Sequence, residues 1–185
     1  VNIGRTILSL TRRAVREHGM INGGDRVAVG VSGGKDSLLT LWALAGLRRF
    51  ESFDYDLRAI TLDMGPSAAA GESDGAGFDR IRAFCESLDV PYDVLPTNIF
   101  EVVFDIRKEK SPCSLCAKMR RGALHAAALE NDCRKVALGH HKDDAVETFL
   151  LSLIFENRLS CFHPVTYLDR RDVTLIRPLL YVEEW

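Results

Sequence analysis

Arg26-Val-Ala-Val-Gly-Val31 and the Ser32-Gly-Gly-Lys-Asp-Ser37 that follows it decide how the chain is read. The first six residues are nearly all apolar, the pattern of a strand buried on both faces. Two consecutive glycines then permit unusual backbone angles and let several N–H groups converge on an anion. Leu38, Leu39, Leu41, Trp42, Leu44, Ala45 and Leu47 follow at the density of a well-buried helix. A helix beginning here adds partial positive charge at its N-terminus, and Ser32, Lys35 and Ser37 add donors. Gly30, Val31, Ser32, Gly33, Gly34, Lys35 and Ser37 are therefore candidates for a phosphate cradle.

The register excludes two common phosphate loops. A Walker loop starting at Gly30 needs Gly where Lys35 stands, and no G-x-G-x-x-G dinucleotide fingerprint occurs. Asp36 is informative because a carboxylate beside phosphate is repulsive unless a cation lies between them, and Mg2+ fits that role.

Further apolar runs lie at Leu57–Leu62, Tyr92–Leu95, Lys135–Leu138 and Val173–Ile176, with helical patterns at Ile7–Val15, Ile81–Leu88 and Val146–Ile154. Ala68 to Gly77 reads as a mobile loop. Strands alternating with helices predict an α/β fold: a mostly parallel five-stranded sheet with helices on both faces. Ligands in such sheets bind beyond the carboxyl ends of the strands. Residues 1–185 read as one domain with a basic N-terminal helix.

Composition narrows the class. With 185 residues, 46% apolar and 27% charged, the chain is too apolar for disorder and long enough for a sizeable core. No window resembles a membrane span or signal peptide. Five cysteines, an odd number, argue against a disulfide framework, so a soluble cytoplasmic protein is expected. Charge is uneven: residues 51–95 carry ten acids against three arginines, a net −7. Residues 107–121 are +5 and residues 5–17 are +3, so two basic patches suit a local polyanion site or two solvated helix faces.

Two further motifs carry chemistry. Gly139-His-His-Lys-Asp-Asp144 opens a helix after a strand, where Asp143 and Asp144 suit either capping or a site on the same sheet edge as the glycine loop. His140 and His141 diverge on a helix and do not form a zinc pair. Cys113-Ser-Leu-Cys116 lies within the second basic patch. It suits a zinc ribbon, a redox dithiol, or iron–sulfur or persulfide chemistry beside nucleic acid.

The residues quoted also carry a family resemblance. Ser32-Gly-Gly-Lys-Asp-Ser37 resembles the PP-loop of ATP pyrophosphatases, which cleave ATP between its α and β phosphates. Cys113-Ser-Leu-Cys-Ala-Lys-Met-Arg-Arg-Gly122, the Gly139–Asp144 segment and Arg177-Pro-Leu179 resemble, in order and spacing, the TtcA/TtuA family of tRNA thiolation enzymes.

That resemblance implies ATP, Mg2+ and a 4Fe-4S cluster as cofactors, and tRNA and a persulfide or sulfide donor as partners. It allows a homodimer. Lys35, Asp36, Arg120 and Asp144 would be catalytic, with Asp36 and Asp144 on Mg2+ and Arg120 on the α-phosphate. Gly139 and His140 would approach the nucleotide, and Thr61, Leu62 and Asp63 would line the adenine pocket. Cys113 and Cys116 would hold the cluster with a third cysteine downstream of Arg177-Pro-Leu179, so a continuation beyond Trp185 is expected. Cys85, Cys133 and Cys161 would be buried structural thiols. Arg121, Lys118, Arg12 and Arg13 would meet RNA. The lack of the extra zinc-binding cysteine pairs usual in TtuA favours cytidine over uridine as the target. A lysidine synthase-like adenylating enzyme and a non-catalytic nucleotide-binding redox sensor are the competing readings.

Overall fold

A computed structural model describes residues 2–65, 75–107 and 111–184. Helix α1 (Ile3–Glu17) leads to strand β1 (Arg26–Gly30), helix α2 (Lys35–Leu47) and strand β2 (Asp56–Asp63). Helix α3 (Gly75–Ser87), strand β3 (Tyr92–Pro96) and a π-helical turn at Glu101–Ile106 come next. Helix α4 (Pro112–Glu130), strand β4 (Lys135–Ala137) and helix α5 (Lys142–Glu156) precede strands β5 (Val165–Leu168) and β6 (Val173–Ile176), which are joined by a 3-10 turn at Asp169–Arg171. Gly75 to Gly77 open α3 rather than ending a loop; the rest of the loop expected from Ala68 lies outside the described residues.

The sheet has six strands in the order β3-β2-β1-β4-β6-β5, all parallel except β5 against β6. The sequence pattern shows five. Val165-Thr-Tyr-Leu168 escapes it because this is an edge strand with only partial burial, and an apolar-run criterion finds strands covered on both faces. β1 meets β2 on one side and β4 on the other, so the chain reverses its winding there and opens a crevice at the carboxyl ends of β1 and β4.

Alternation along β1 sorts the two layers. Val27 and Val29 pack into the cluster with Leu41, Leu44, Leu57 and Ile81, which covers one face. Ala28 faces the other way, with Ile60, Leu124, Ala127, Ala128 and Val136. On that second face a Cβ at Gly30 would come 2.8 Å from Leu124 Cδ2, so the missing side chain lets α4 settle onto the end of β1.

Cys85 and Cys133 are buried, and burial raises both thiol pKa values, that of Cys85 to about 11. Cys161 is half-buried, its thiol 3.3 Å from the Ala145 carbonyl. Helix α5 is rich in apolar residues, yet Ser152 is its buried residue and Val146, Leu150, Leu151, Ile154 and Phe155 are exposed. No described residue of the chain covers them.

Helix α1 is pinned by charge as well as packing. Arg12 Nε and Arg16 Nη2 each lie 3.0 Å from the Glu51 carboxylate, whose side chain is 1% exposed. Arg12 also donates to the Phe50 carbonyl at 2.7 Å. Glu51→Ala leaves both guanidinium groups without their acceptor and is expected to lower stability by about 2 kcal/mol in urea unfolding. Loss of the exposed Arg13–Glu17 pair is expected to cost much less than loss of Glu51.

Candidate functional site

The loop between β1 and α2 is cross-linked by its own hydroxyls. Ser37 Oγ accepts from the Ser32 N–H at 3.2 Å and donates to the Gly34 carbonyl at 2.8 Å, while Ser32 Oγ accepts from the Gly34 N–H at 3.4 Å. Gly33 has φ +83, a left-handed conformation that a side chain would resist. Ser37 is buried and shapes the cradle, whereas Ser32, Gly33, Gly34 and Lys35 face solvent. Thr61, buried at the end of β2, donates to the Val31 carbonyl at 2.6 Å, and the Val31 N–H reaches Ile60 at 2.8 Å. Leu62 and Asp63 complete that strand end, and Asp63 Oδ1 accepts from the Gly65 N–H at 2.9 Å.

The second motif reaches the same place through backbone. A Cβ at Gly139 would lie 3.0 Å from the carbonyl carbon and oxygen of Asp36 and 3.1 Å from the Ser37 nitrogen. The end of β4 therefore lies directly against the N-terminus of α2. His141 caps α5: its Nδ1 accepts from the Asp144 N–H at 3.4 Å, and Asp144 Oδ2 accepts from the His141 N–H at 2.8 Å. That reciprocal cap holds Asp144 in the first turn with one oxygen committed. Sequence reasoning misses it because histidine is an uncommon N-cap.

Residues Val182–Glu184 are also missed, being far from Lys35 in the chain: Glu184 stands 149 residues away. Lys35 Nζ pairs with Glu184 and, at 3.2 Å, with Asp36, and these bonds raise its pKa. The Glu184 N–H donates to Asp143 Oδ2 at 2.7 Å, and Lys142 Nζ donates to Glu183 at 2.5 Å. This segment ties the two motifs together across the crevice.

Behind it lies a buried stack. His140 packs on Phe162 with ring centroids 5.1 Å apart, and the Arg177 guanidinium lies 4.8 Å from the same ring. Arg177 is 7% exposed and donates to the His163 carbonyl at 2.5 Å and Thr166 Oγ1 at 3.2 Å. Burial lowers its pKa. Burial and then Arg177 lower the pKa of His140, so that ring is neutral near pH 7.

Helix α4 brings the cysteines to this edge. β4 is parallel to β1, so it starts at the far edge of the sheet, and α4 feeds it through a turn closed by Cys133 N–H to the Ala128 carbonyl at 2.8 Å. The N-terminus of α4 must then point past the carboxyl ends of the strands. Cys116 stands eight residues before Leu124, about 12 Å along the axis beyond the level of Gly30. Cys113, Cys116, Arg120, Leu124 and Ala127 share one helical stripe. The stripe that packs on the sheet through Leu124 and Ala127 thus carries Cys113, Cys116 and Arg120 out beyond its edge. Lys118 and Arg121 lie on another flank. Arg12 and Arg13 are engaged elsewhere, Arg13 with Glu17 at 2.8 Å and over the Tyr181 ring at 5.2 Å.

Among the described residues no three His, Cys, Asp or Glu side chains converge as a protein-only metal cage. Mg2+ held through phosphates needs only one or two carboxylates. Asp36 and Asp144, on the two helix starts that Gly139 brings together, fit that demand. Cys113 and Cys116 offer two thiols, and no third cysteine joins them among the described residues.

A glycine loop with lysine and aspartate at the winding reversal of a parallel sheet defines a PP-loop domain, and residues 6–184 match that family. The chain is 39% identical over 181 residues to a tRNA-cytidine(32) 2-sulfurtransferase of Geobacter sulfurreducens, covering 97% of this chain and 68% of the relative. It is 40% identical over 182 residues to the Anaeromyxobacter dehalogenans protein of that name, covering 97% and 60%. Its fold is similar to the U34-tRNA thiolase NcsA from Methanococcus maripaludis with its [4Fe-4S] cluster, at TM-score 0.72 and 26% identity, covering 98% of this chain and 61% of that one. The chain belongs to the tRNA-cytidine(32) 2-sulfurtransferase family and spans about 60–68% of the length of these relatives.

The close approach at Gly139 can be tested directly. Gly139→Ala drives a Cβ into backbone and is expected to weaken ATP binding in titration calorimetry more than Gly30→Ala, which meets a movable Leu124 methyl. A displacement of about 1 Å at such a site costs about a hundredfold in rate. A second test concerns pH. His125 also has a lowered pKa, from burial, then Arg171 and Arg121. Above the ordinary value of 6.5 both histidines are neutral whether folded or not and contribute nothing. As pH falls from there through the lower folded values, the unfolded chain takes up protons that the folded state refuses, so stability drops. Urea midpoints are expected to fall on acidification, and His125→Gln to shrink that fall.

Proposed function

We propose that this chain is the ATP-binding, base-activating part of a tRNA sulfurtransferase that replaces the C2 carbonyl oxygen of a pyrimidine by sulfur, with cytidine favoured by its relatives' names. The observation that carries this reading is the backbone contact of Gly139 with Asp36 and Ser37, which puts two charged motifs at one crevice under the cysteine-bearing end of α4.

The C2 oxygen is a poor leaving group. Its lone pair attacks the α-phosphorus of ATP, the bond from that phosphorus to the bridging oxygen of the β-phosphate breaks, and pyrophosphate departs. The amides of the Ser32–Ser37 loop and Lys35 receive the charge that builds on the leaving phosphates. For the triphosphate to bind there, Lys35 exchanges Glu184 for phosphate oxygens. Asp36 and Asp144 hold Mg2+, which offsets their repulsion of phosphate. Arg120, on the overhanging stripe of α4, contacts the α-phosphate. Hydrosulfide, supplied as such or released from a persulfide by a second thiol that ends as the disulfide, then attacks C2, the C2–O bond breaks, and AMP leaves with that oxygen.

Cys113 and Cys116 supply two thiolate ligands to a [4Fe-4S] cluster of the kind named in the archaeal thiolase. Bound there, the cluster would supply a thiophilic metal centre able to carry sulfur. The target base must unstack to reach the crevice, so a loop nucleotide is the substrate.

Lys35→Ala and Asp36→Ala are expected to cut tRNA-dependent AMP release by about a hundredfold or more while leaving the thermal transition in place. Unchanged AMP release by either folded variant contradicts the assignment. Cys116→Ser is expected to bind ATP and release pyrophosphate yet leave no 2-thiolated nucleoside by mass spectrometry. Normal thiolation by that variant would remove the cysteine pair from sulfur delivery.

A further inference from the structure

The sequence holds two basic patches, and the structure treats them differently. In α1, Arg12 and Arg16 share the single carboxylate of Glu51, and Arg13 pairs with Glu17. On α4, Lys118, Arg120 and Arg121 are exposed, and among the described residues none has a carboxylate partner. Lys118, Arg121, Gly122 and His125 recur at helical spacing on one flank, away from the stripe that carries the cysteines.

The turn Asp169–Arg171 adds to that flank from a distant part of the chain. Arg171 Nη1 donates to the Gly122 carbonyl at 3.2 Å, which seats the guanidinium against α4. The nearby carboxylates are occupied. Asp172 pairs with Arg134 and accepts from Tyr167 Oη at 3.0 Å, and Asp169 accepts from the Arg170 backbone N–H at 2.7 Å. Arg170 and Arg171 are exposed, and neither side chain has a carboxylate partner among the described residues. Arg171 and Arg121 are also the two cations that depress the pKa of His125, placing both charges beside one buried ring.

We propose that the Asp169–Arg171 turn and the outer flank of α4 form a single phosphodiester-binding face, in which Arg170 and Arg171 join Lys118 and Arg121 in gripping the backbone of the RNA. This rests on the reading of the protein as a tRNA-modifying enzyme and names residues that bind that substrate. Cations that have no internal acid to satisfy, on a chain of net −2, are a local site for a polyanion. The backbone is held along one flank of α4, and the other stripe presents Cys113, Cys116 and Arg120 over the crevice. Contacts of this kind fix register and carry no base sequence.

Binding of a tRNA transcript to the full chain, measured across a salt series, tests the face. Arg170→Gln with Arg171→Gln is expected to weaken binding and to lower the slope of log affinity against log salt by about 1 for each phosphate that is no longer neutralised, with ATP affinity unchanged. Arg171→Lys keeps the charge and is expected to keep the slope. Arg16→Gln, which removes a cation already paired within the fold, is expected to leave the slope as it was. If the parent chain binds tRNA and the double variant shows the same slope, the face is wrong while the functional reading stands. If Arg16→Gln lowers the slope as much as the double variant, the proposed division of the two patches is wrong. If the parent chain shows no salt-dependent binding, the reading of the protein as a tRNA enzyme fails first.

Discussion

The site depends on a contact that contains no side chain. Gly139 lets the end of β4 come to within about 3 Å, measured from an absent Cβ, of the backbone that starts α2. Two helix N-termini are thereby brought together at the sheet's winding reversal. Each directs the positive end of its dipole toward the same crevice. The loop hydroxyls and the His141–Asp144 cap stiffen the two halves separately. The glycine is what makes them one site.

Electrostatics around that crevice follow from neighbours rather than from net charge. Four carboxylates, those of Asp36, Asp143, Asp144 and Glu184, belong to the two helix starts and the segment that ties them. Lys35 already pairs with two of them, Asp36 and Glu184, so nucleotide binding exchanges one anion for another. On the wall behind, a buried cation stands without a carboxylate partner among the described residues. Arg177 donates through Nη1 to a carbonyl and a hydroxyl and lies over the Phe162 ring, and its buried Nε has no hydrogen-bond partner among the described residues. Its field helps to keep His140 neutral. The stack supports the Gly139–His140 corner without placing an acid beside it.

Helix α4 serves both tasks through geometry alone. It runs about 28 Å, much longer than the three-residue β4 that follows it, so its N-terminal turns extend beyond the sheet. One stripe of that extension carries two thiols and Arg120. Another carries exposed cations that Arg171 reinforces from across the chain. The two stripes lie on different sides of one rod.

How much of this is legible in the residues depends on whether the determining physics is local. The β1 apolar run, the glycine turn and the helix after it are set by neighbours in sequence, so the phosphate cradle and the parallel α/β class can be read directly. The order of the motifs along the chain also places both at the carboxyl edge. Partial burial hides β5, and the exposure of the apolar residues of α5 is set by which elements the described chain packs against it. The resemblance groups Arg12 and Arg13 with cations that would meet RNA, and an unfolded string cannot show that they pair with Glu51 and Glu17 within the fold. Glu184 on Lys35, Phe162 between His140 and Arg177, and Arg171 on Gly122 are decided by tertiary structure alone. Each brings together groups separated in the chain, and such pairs are chosen by the path of the backbone through space, which residue types do not encode one at a time.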